Sequence, residues 1–194
     1  MNSAATRKSH KAGFTLIETL VAILVLTILM VGVFSEINKA QTYYRVEGAK
    51  VDITQPQRQF VDNFTRDLHQ AGFPTPASVG PGNAAAQGLT AFSNTSLTFD
   101  GDLDGTGIQT VTYTYDAAGC ACITRAAGGV TSTAIEQVTA ASFTGYDASG
   151  APTTTPANIR SIEVSVTMQN GLDANNRNPV QLTMTGMARL PNND

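Results

Sequence analysis

Few residues in this 194-residue chain combine side-chain types and spacings that could do chemistry. The first is Glu18, an ionisable group near the start of an apolar run from Leu16 to Phe34. A charge within such a run costs roughly 2.5–3.5 kcal/mol at a helix centre on insertion scales, and less near the interface. It therefore calls for a cationic partner. The second is Asp100-x-Asp102-x-Asp104-Gly105, with carboxylates at alternating positions and a glycine for a sharp turn. Calcium needs hard oxygen ligands in such a pattern. However, Val111 stands at the twelfth position, where an EF-hand carries its bidentate Glu, and no flanking helices are expected. Asp and Gly also form plain solvated turns, so both readings stand. The third is Cys120-Ala121-Cys122, the entire cysteine complement. In an oxidising compartment two cysteines pair, here through a tight ring. A free or intermolecular thiol pair is the alternative, and a metal site lacks further ligands. Catalytic chemistry finds no nucleophile, base and orienter. The two histidines are His10, before the apolar run, and His69, which sits near a helix C-terminus where it can meet the dipole.

The apolar run that positions Glu18 holds Leu20, Val21, Ile23, Leu24, Val25, Leu26, Ile28, Leu29, Met30, Val31 and Val33. Its length spans a bilayer core of roughly 30 Å as a helix. Arg7, Lys8 and Lys11 precede it, which places the N-terminus on the cytoplasmic side and the remainder beyond the inner membrane. A cleaved secretory signal would show a small-residue cut site after the run, and Ser35 to Ala40 offers none.

Gly13-Phe14-Thr15-Leu16-Ile17-Glu18-Thr19-Leu20-Val21-Ala22 resembles the cleavage and methylation signal of type IV prepilins and type II secretion pseudopilins. That resemblance implies a prepilin peptidase that cuts between Gly13 and Phe14 and N-methylates Phe14. It implies that Glu18 pairs with a Phe14 amine, its own or a neighbouring subunit's. A new ammonium and a carboxylate attract far more in a low dielectric than in water. The bland alternative is a signal anchor with a stray Glu. Residues 1–13 would be a leader peptide and 14–34 the transmembrane and polymerisation helix. Residues 35–72 would be an amphipathic stem, and 73–194 a periplasmic β-rich domain.

Removing the leader leaves nine Lys and Arg against 15 Asp and Glu, a net charge of about −6 before the termini. That argues against a generic nucleic-acid binder. Along the stem, Phe60, Phe64 and Leu68 fall at i, i+4, i+8 with Val61 beside them, one apolar stripe facing a core. Pro56 predicts a kink or short break near 53–56. Gly72-Phe73-Pro74 predicts the helix end, with Gly72 at the C′ position.

Thr75 to Gly88 reads as a loop. Alternation predicts strands at Ser96–Phe99, Ile108–Tyr115, Cys122–Ala126, Ile135–Tyr146, Ile159–Gln169 and Val180–Leu190. Ile162, Val164 and Val166 alternate with Glu163, Ser165 and Thr167, so one face of that strand is buried. The stretch Arg66 to Phe73, the acidic hairpin at Ser96–Asp104 and Tyr113-Thr114-Tyr115 resemble the PilW/PulJ group of minor pilins. The implied architecture is α+β: a long N-terminal helix whose second half packs on an antiparallel sheet. The implied role is a minor type IV pilin, a structural subunit that enters or primes a pilus filament. Its implied partners are other pilins or pseudopilins and an inner-membrane assembly platform. A type II secretion minor pseudopilin of the J kind is the near alternative. A membrane-tethered periplasmic binding module is the alternative of another class, and an enzyme is remote.

Overall fold

The computed structural model of the chain describes residues 13–79, 84–170 and 179–193. Arg7, Lys8, His10, Lys11 and the greater part of the Asn-rich loop before Pro179 lie outside them. The chain forms two compact units, Met1–Arg45 and Val46–Asp194.

One helix, α1 (Leu16–His69), runs through both units. In the first unit every described side chain is exposed, from Gly13 to Arg45. Thr19 and Thr27 turn their hydroxyls back onto the carbonyls of Leu16 and Leu24, both at 2.8 Å. In an apolar medium that return bond satisfies a group that water would otherwise solvate.

In the second unit α1 has a buried stripe: Ala49, Ile53, Gln57, Phe60, Phe64, Asp67 and Leu68. The expected break at Pro56 does not occur, and the helix is continuous to His69. Anchors on both sides of the proline hold it. Ile53 is buried, and the Gln57 amide donates to the carbonyls of Val166 (3.1 Å) and Leu182 (2.9 Å). The helix also ends earlier than Gly72 suggests. Gly72 does take the left-handed backbone of a capping glycine, with φ +76°. Its N–H, however, donates to Asp100 across the fold at 2.8 Å and not back to the helix.

Eight strands follow among the described residues, in antiparallel meanders. The first sheet has the order β1 (Gly88–Phe92), β2 (Ser96–Gly101), β3 (Gln109–Asp116), β4 (Cys122–Ala127) and β5 (Val130–Ile135). The second has β6 (Val138–Tyr146), β7 (Ser161–Asn170) and β8 (Val180–Arg189). The architecture is therefore α+β and pilin-like, with two sheets in place of the single one expected.

The run Ile135–Tyr146, expected as one strand, is where the chain changes sheets. Gln137 takes φ +59°, outside the strand region, and separates β5 from β6. The open edge of β6 is then held by the first sheet. Val138 N–H donates to Ala121 and Phe143 N–H to Asn94, both at 2.8 Å.

The core lies where the buried stripe of α1 meets both sheets. Phe64 stacks on Phe60 (5.8 Å between centroids) and on Phe143 of β6 (5.7 Å), and meets Tyr113 of β3 edge-on at 5.2 Å. One helical side chain thus joins the two sheets, and offset or edge contacts of this kind add to the stabilisation from area burial. On β7, Ile162, Val164, Val166 and Met168 are buried, as their alternation predicts.

Candidate functional site

The N-terminal site is built on the first turn of α1. Gly13, Phe14 and Thr15 precede the helix. The Thr15 carbonyl accepts from Glu18 N–H (3.1 Å) and Thr19 N–H (3.2 Å), which starts the helical ladder. Glu18 therefore lies in the first turn, where the unpaired N–H groups and the helix dipole favour a carboxylate. Phe14 is 80% exposed, and Gly13 has no neighbour within 4 Å of where a Cβ would stand. Among the described residues, both sides of the Gly13–Phe14 peptide bond are exposed. While that bond is intact, Phe14 has only an amide nitrogen. Cleavage of that bond would turn it into an amine, four residues before Glu18.

Behind this turn the apolar side chains point outward around the whole helix. The large apolar side chains from Leu16 to Phe34 are exposed, and the segment is long and apolar enough to cross a membrane. A helix apolar on every side is covered either by lipid or by other helices.

Residues 8–34 match the prokaryotic N-terminal methylation motif. The methylation motif thus covers the last residues before the junction, the junction itself, Glu18 and the apolar run. It supports a type IV pilin- or pseudopilin-like protein that is anchored in a membrane. Proteins of this motif are structural subunits and not catalysts, processed by a prepilin peptidase and assembled with other pilins. No curated protein matches the chain.

The acidic loop between β2 and β3 is a self-capped turn. Asp102 Oδ1 accepts from Gly105 N–H (2.8 Å) and Gly107 N–H (3.3 Å). Asp104 Oδ1 accepts from the Thr106 N–H (3.0 Å) and hydroxyl (2.6 Å), and its Oδ2 accepts from the Gln109 amide at 2.9 Å. The Thr106 bonds, with help from Gln109, hold the Asp104 carboxyl below its ordinary value. Asp100 Oδ1 accepts from the Thr110 hydroxyl at 2.7 Å. Val111, at the position of the missing glutamate, is fully buried on β3. Among the described residues no group of three or more His, Cys, Asp or Glu side chains is placed to hold a metal ion. The donor set does not fit an EF-hand cage.

Cys120 and Cys122 are joined as a disulfide. The ring does not lie along a strand: Ala121 takes φ +49°, and Cys122 begins β4. His69 Nδ1 lies 2.8 Å from the Thr65 carbonyl, within its own helix.

Sequence reasoning missed a polar cluster behind the acidic loop. Asp67, on the buried stripe of α1, accepts at Oδ2 from the Tyr113 hydroxyl and from Arg125 Nε, both at 2.7 Å. Burial, and then the Asp67 charge, push the Tyr113 phenol well above its ordinary value. The signal was in the sequence. Asp67 follows Phe60 and Phe64 at i+7 and i+3, so it falls on the same helical face.

Proposed function

We propose that this chain is a minor type IV pilin. It is made as a precursor, cut between Gly13 and Phe14, methylated at the new Phe14 amine, and drawn into a filament through α1. The observation that carries the reading is the coincidence of three features at one point. An open Gly-Phe junction, a first-turn carboxylate four residues beyond it, and a helix apolar on all sides are what membrane extraction and helix-to-helix assembly require. A simple anchor needs only the last.

Glu18 supplies the register. A carboxylate in the apolar layer is stabilised when a Phe14 ammonium sits beside it, so one axial offset between neighbouring helices is favoured over others. The β-rich unit stays outside the inner membrane and makes the specific contacts with neighbouring subunits. Assignment to pili and not to type II secretion follows the likeness of Arg66–Phe73 and the acidic hairpin to minor pilins.

The test is cross-linking in membranes of the native host, followed by capture with an antibody against the β-rich unit and mass spectrometry. Expected are an N-methyl-Phe14 terminus and pilus subunits among the partners. An uncut Met1 terminus would overturn the prepilin reading. A methylated terminus with secretion-system partners would keep the assembly chemistry and move the role to protein export.

A further inference from the structure

The last strand leads into a short tail, Leu190–Asn193, whose contacts reach both sheets. Leu190 is buried, and its N–H donates to the Arg160 carbonyl at 2.9 Å. Asn193 is a buried polar residue, 6% exposed. Its side-chain amide makes three bonds. Nδ2 donates to the carbonyls of Pro156 (2.9 Å) and Ile159 (2.8 Å), which bracket the 3₁₀ turn Pro156–Asn158 leading into β7. Oδ1 accepts from Leu89 N–H at 2.8 Å. Arg160 Nη1 also donates to the Asn193 carbonyl.

The Leu89 bond carries the inference. Among the described residues β1 is the outermost strand of its sheet, paired with β2, and an edge strand presents unpaired N–H groups. Leu89 is nevertheless buried. A buried N–H without a partner would be costly, and Asn193 supplies that partner with a side chain in place of another strand. The slot is shaped for the tail. At Gly72, φ +76°, a Cβ would stand 2.3 Å from the Asn192 carbonyl oxygen. At Gly88, φ +72°, it would stand 2.6 Å from Asn193 Oδ1. Both glycines combine a left-handed backbone with a close approach, which no other residue meets without strain.

We infer that Leu190–Asn193 is a latch that closes the seam between the two sheets and caps the open edge of β1. Asn193 is its bolt: one amide holds β1 of the first sheet and the lead-in to β7 of the second. Release of the tail frees Leu89 and the 156–159 turn together, while the Phe60–Phe64–Tyr113–Phe143 cluster and the β6–β7–β8 ladder keep their own contacts. The seam is therefore a local opening unit of lower stability than the core. The inference does not rest on the pilin reading.

Hydrogen exchange of the full chain in detergent micelles, resolved to single amides, tests it. In the unaltered protein the Leu89 amide is expected to be protected despite its place on an outer strand; an unprotected Leu89 overturns the latch. Asn193→Ala is expected to speed Leu89 exchange about tenfold, the loss of roughly one buried hydrogen bond, while the β7 amides hold. Unchanged Leu89 exchange in that variant overturns it too. Asn193→Asp keeps an acceptor for Leu89 but loses both donors and sets a carboxylate against two carbonyls. It is expected to lower the melting temperature at neutral pH and to loosen the 156–159 turn. A melting temperature equal to that of the unaltered protein would sink the two-sided bolt.

Discussion

At the scale of the residue, Asp67 shows how a charge is kept in this core. Its carboxylate is nearly buried, on the last turn of α1, where the helix dipole disfavours it. Two donors on a single oxygen offset that cost, the Tyr113 hydroxyl from β3 and Arg125 Nε from β4. Removing one partner leaves a buried charge short of bonds, so Tyr113→Phe is expected to cost about 1–3 kcal/mol in denaturant unfolding at neutral pH. The sign of the pH effect follows from the phenol. Its folded pKa is raised above the ordinary 10.0, so the folded chain prefers the protonated form. The contribution is complete below pH 10.0 and is lost as the pH rises beyond it, because the unfolded chain ionises first. Tyr113→Phe should remove that alkaline loss. An equally steep fall in stability of the variant above pH 10.0 would show that another group is responsible.

At the scale of the element, packing left less in the sequence to read. The α1 stripe and the β7 alternation were legible, because each has one face buried and the other wet, and the period of exposure is the period of the sequence. β5 was not legible. Its residues Val130 to Ala134 are exposed or only half-buried, so no alternation marks it, and its pairing with β4 is what defines it. β1 was hidden because it is short and its buried edge depends on Asn193, about a hundred residues away in sequence. At Pro56, of the kink or short break expected, the break is absent for a related reason. Local propensity predicts a break, but Gln57 and Ile53 tie the helix to the sheets on both sides. The crossing of α1 over β8 is equally invisible in one dimension. At Gly186 an added Cβ would stand 2.3 Å from Val61 Cγ1. Gly186→Ala is expected to destabilise by about 1–3 kcal/mol through overpacking, and Val61→Ala in the same chain should recover much of it. Additive costs in that double-mutant cycle would remove the contact from the account. The β2–β3 loop offers a third test. Its carboxylates already serve its own amides and hydroxyls, and Val111 faces the core. Millimolar calcium should therefore leave the melting temperature where it is; a calcium-dependent rise would favour the cation reading of Asp100, Asp102 and Asp104 over the solvated turn.

At the scale of the whole molecule, the two units obey different solvents. From Val46 onward most of the large apolar groups are covered by the chain itself, with Val51, Phe73, Val130 and Met187 among the exceptions. In the first unit they are exposed among the described residues, and on the pilin reading proposed above their partners are lipid before assembly and other helices after it. The membrane and the filament then compete for the same surface, and apolar burial alone hardly distinguishes them, since lipid tails are as apolar as leucine. What can distinguish them is the charge pair. In lipid, Glu18 has at most its own Phe14 amine, and in an array of parallel helices it can take a neighbour's. Glu18→Ala should therefore spare everything that happens to the single chain. Membrane insertion, the cut after Gly13 and methylation of Phe14 are expected to proceed, while recovery of the chain in sheared filament fractions falls by about tenfold or more, the loss of a buried ionic partner worth over 1.4 kcal/mol. Quantitative mass spectrometry of membrane and filament fractions reads both halves. If the variant enters filaments at the normal level, the carboxylate is not the register device, and assembly specificity passes to the β-rich unit. If the variant stays uncut in the membrane, the carboxylate acts in recognition by the peptidase instead, one step before the neighbour-to-neighbour contact.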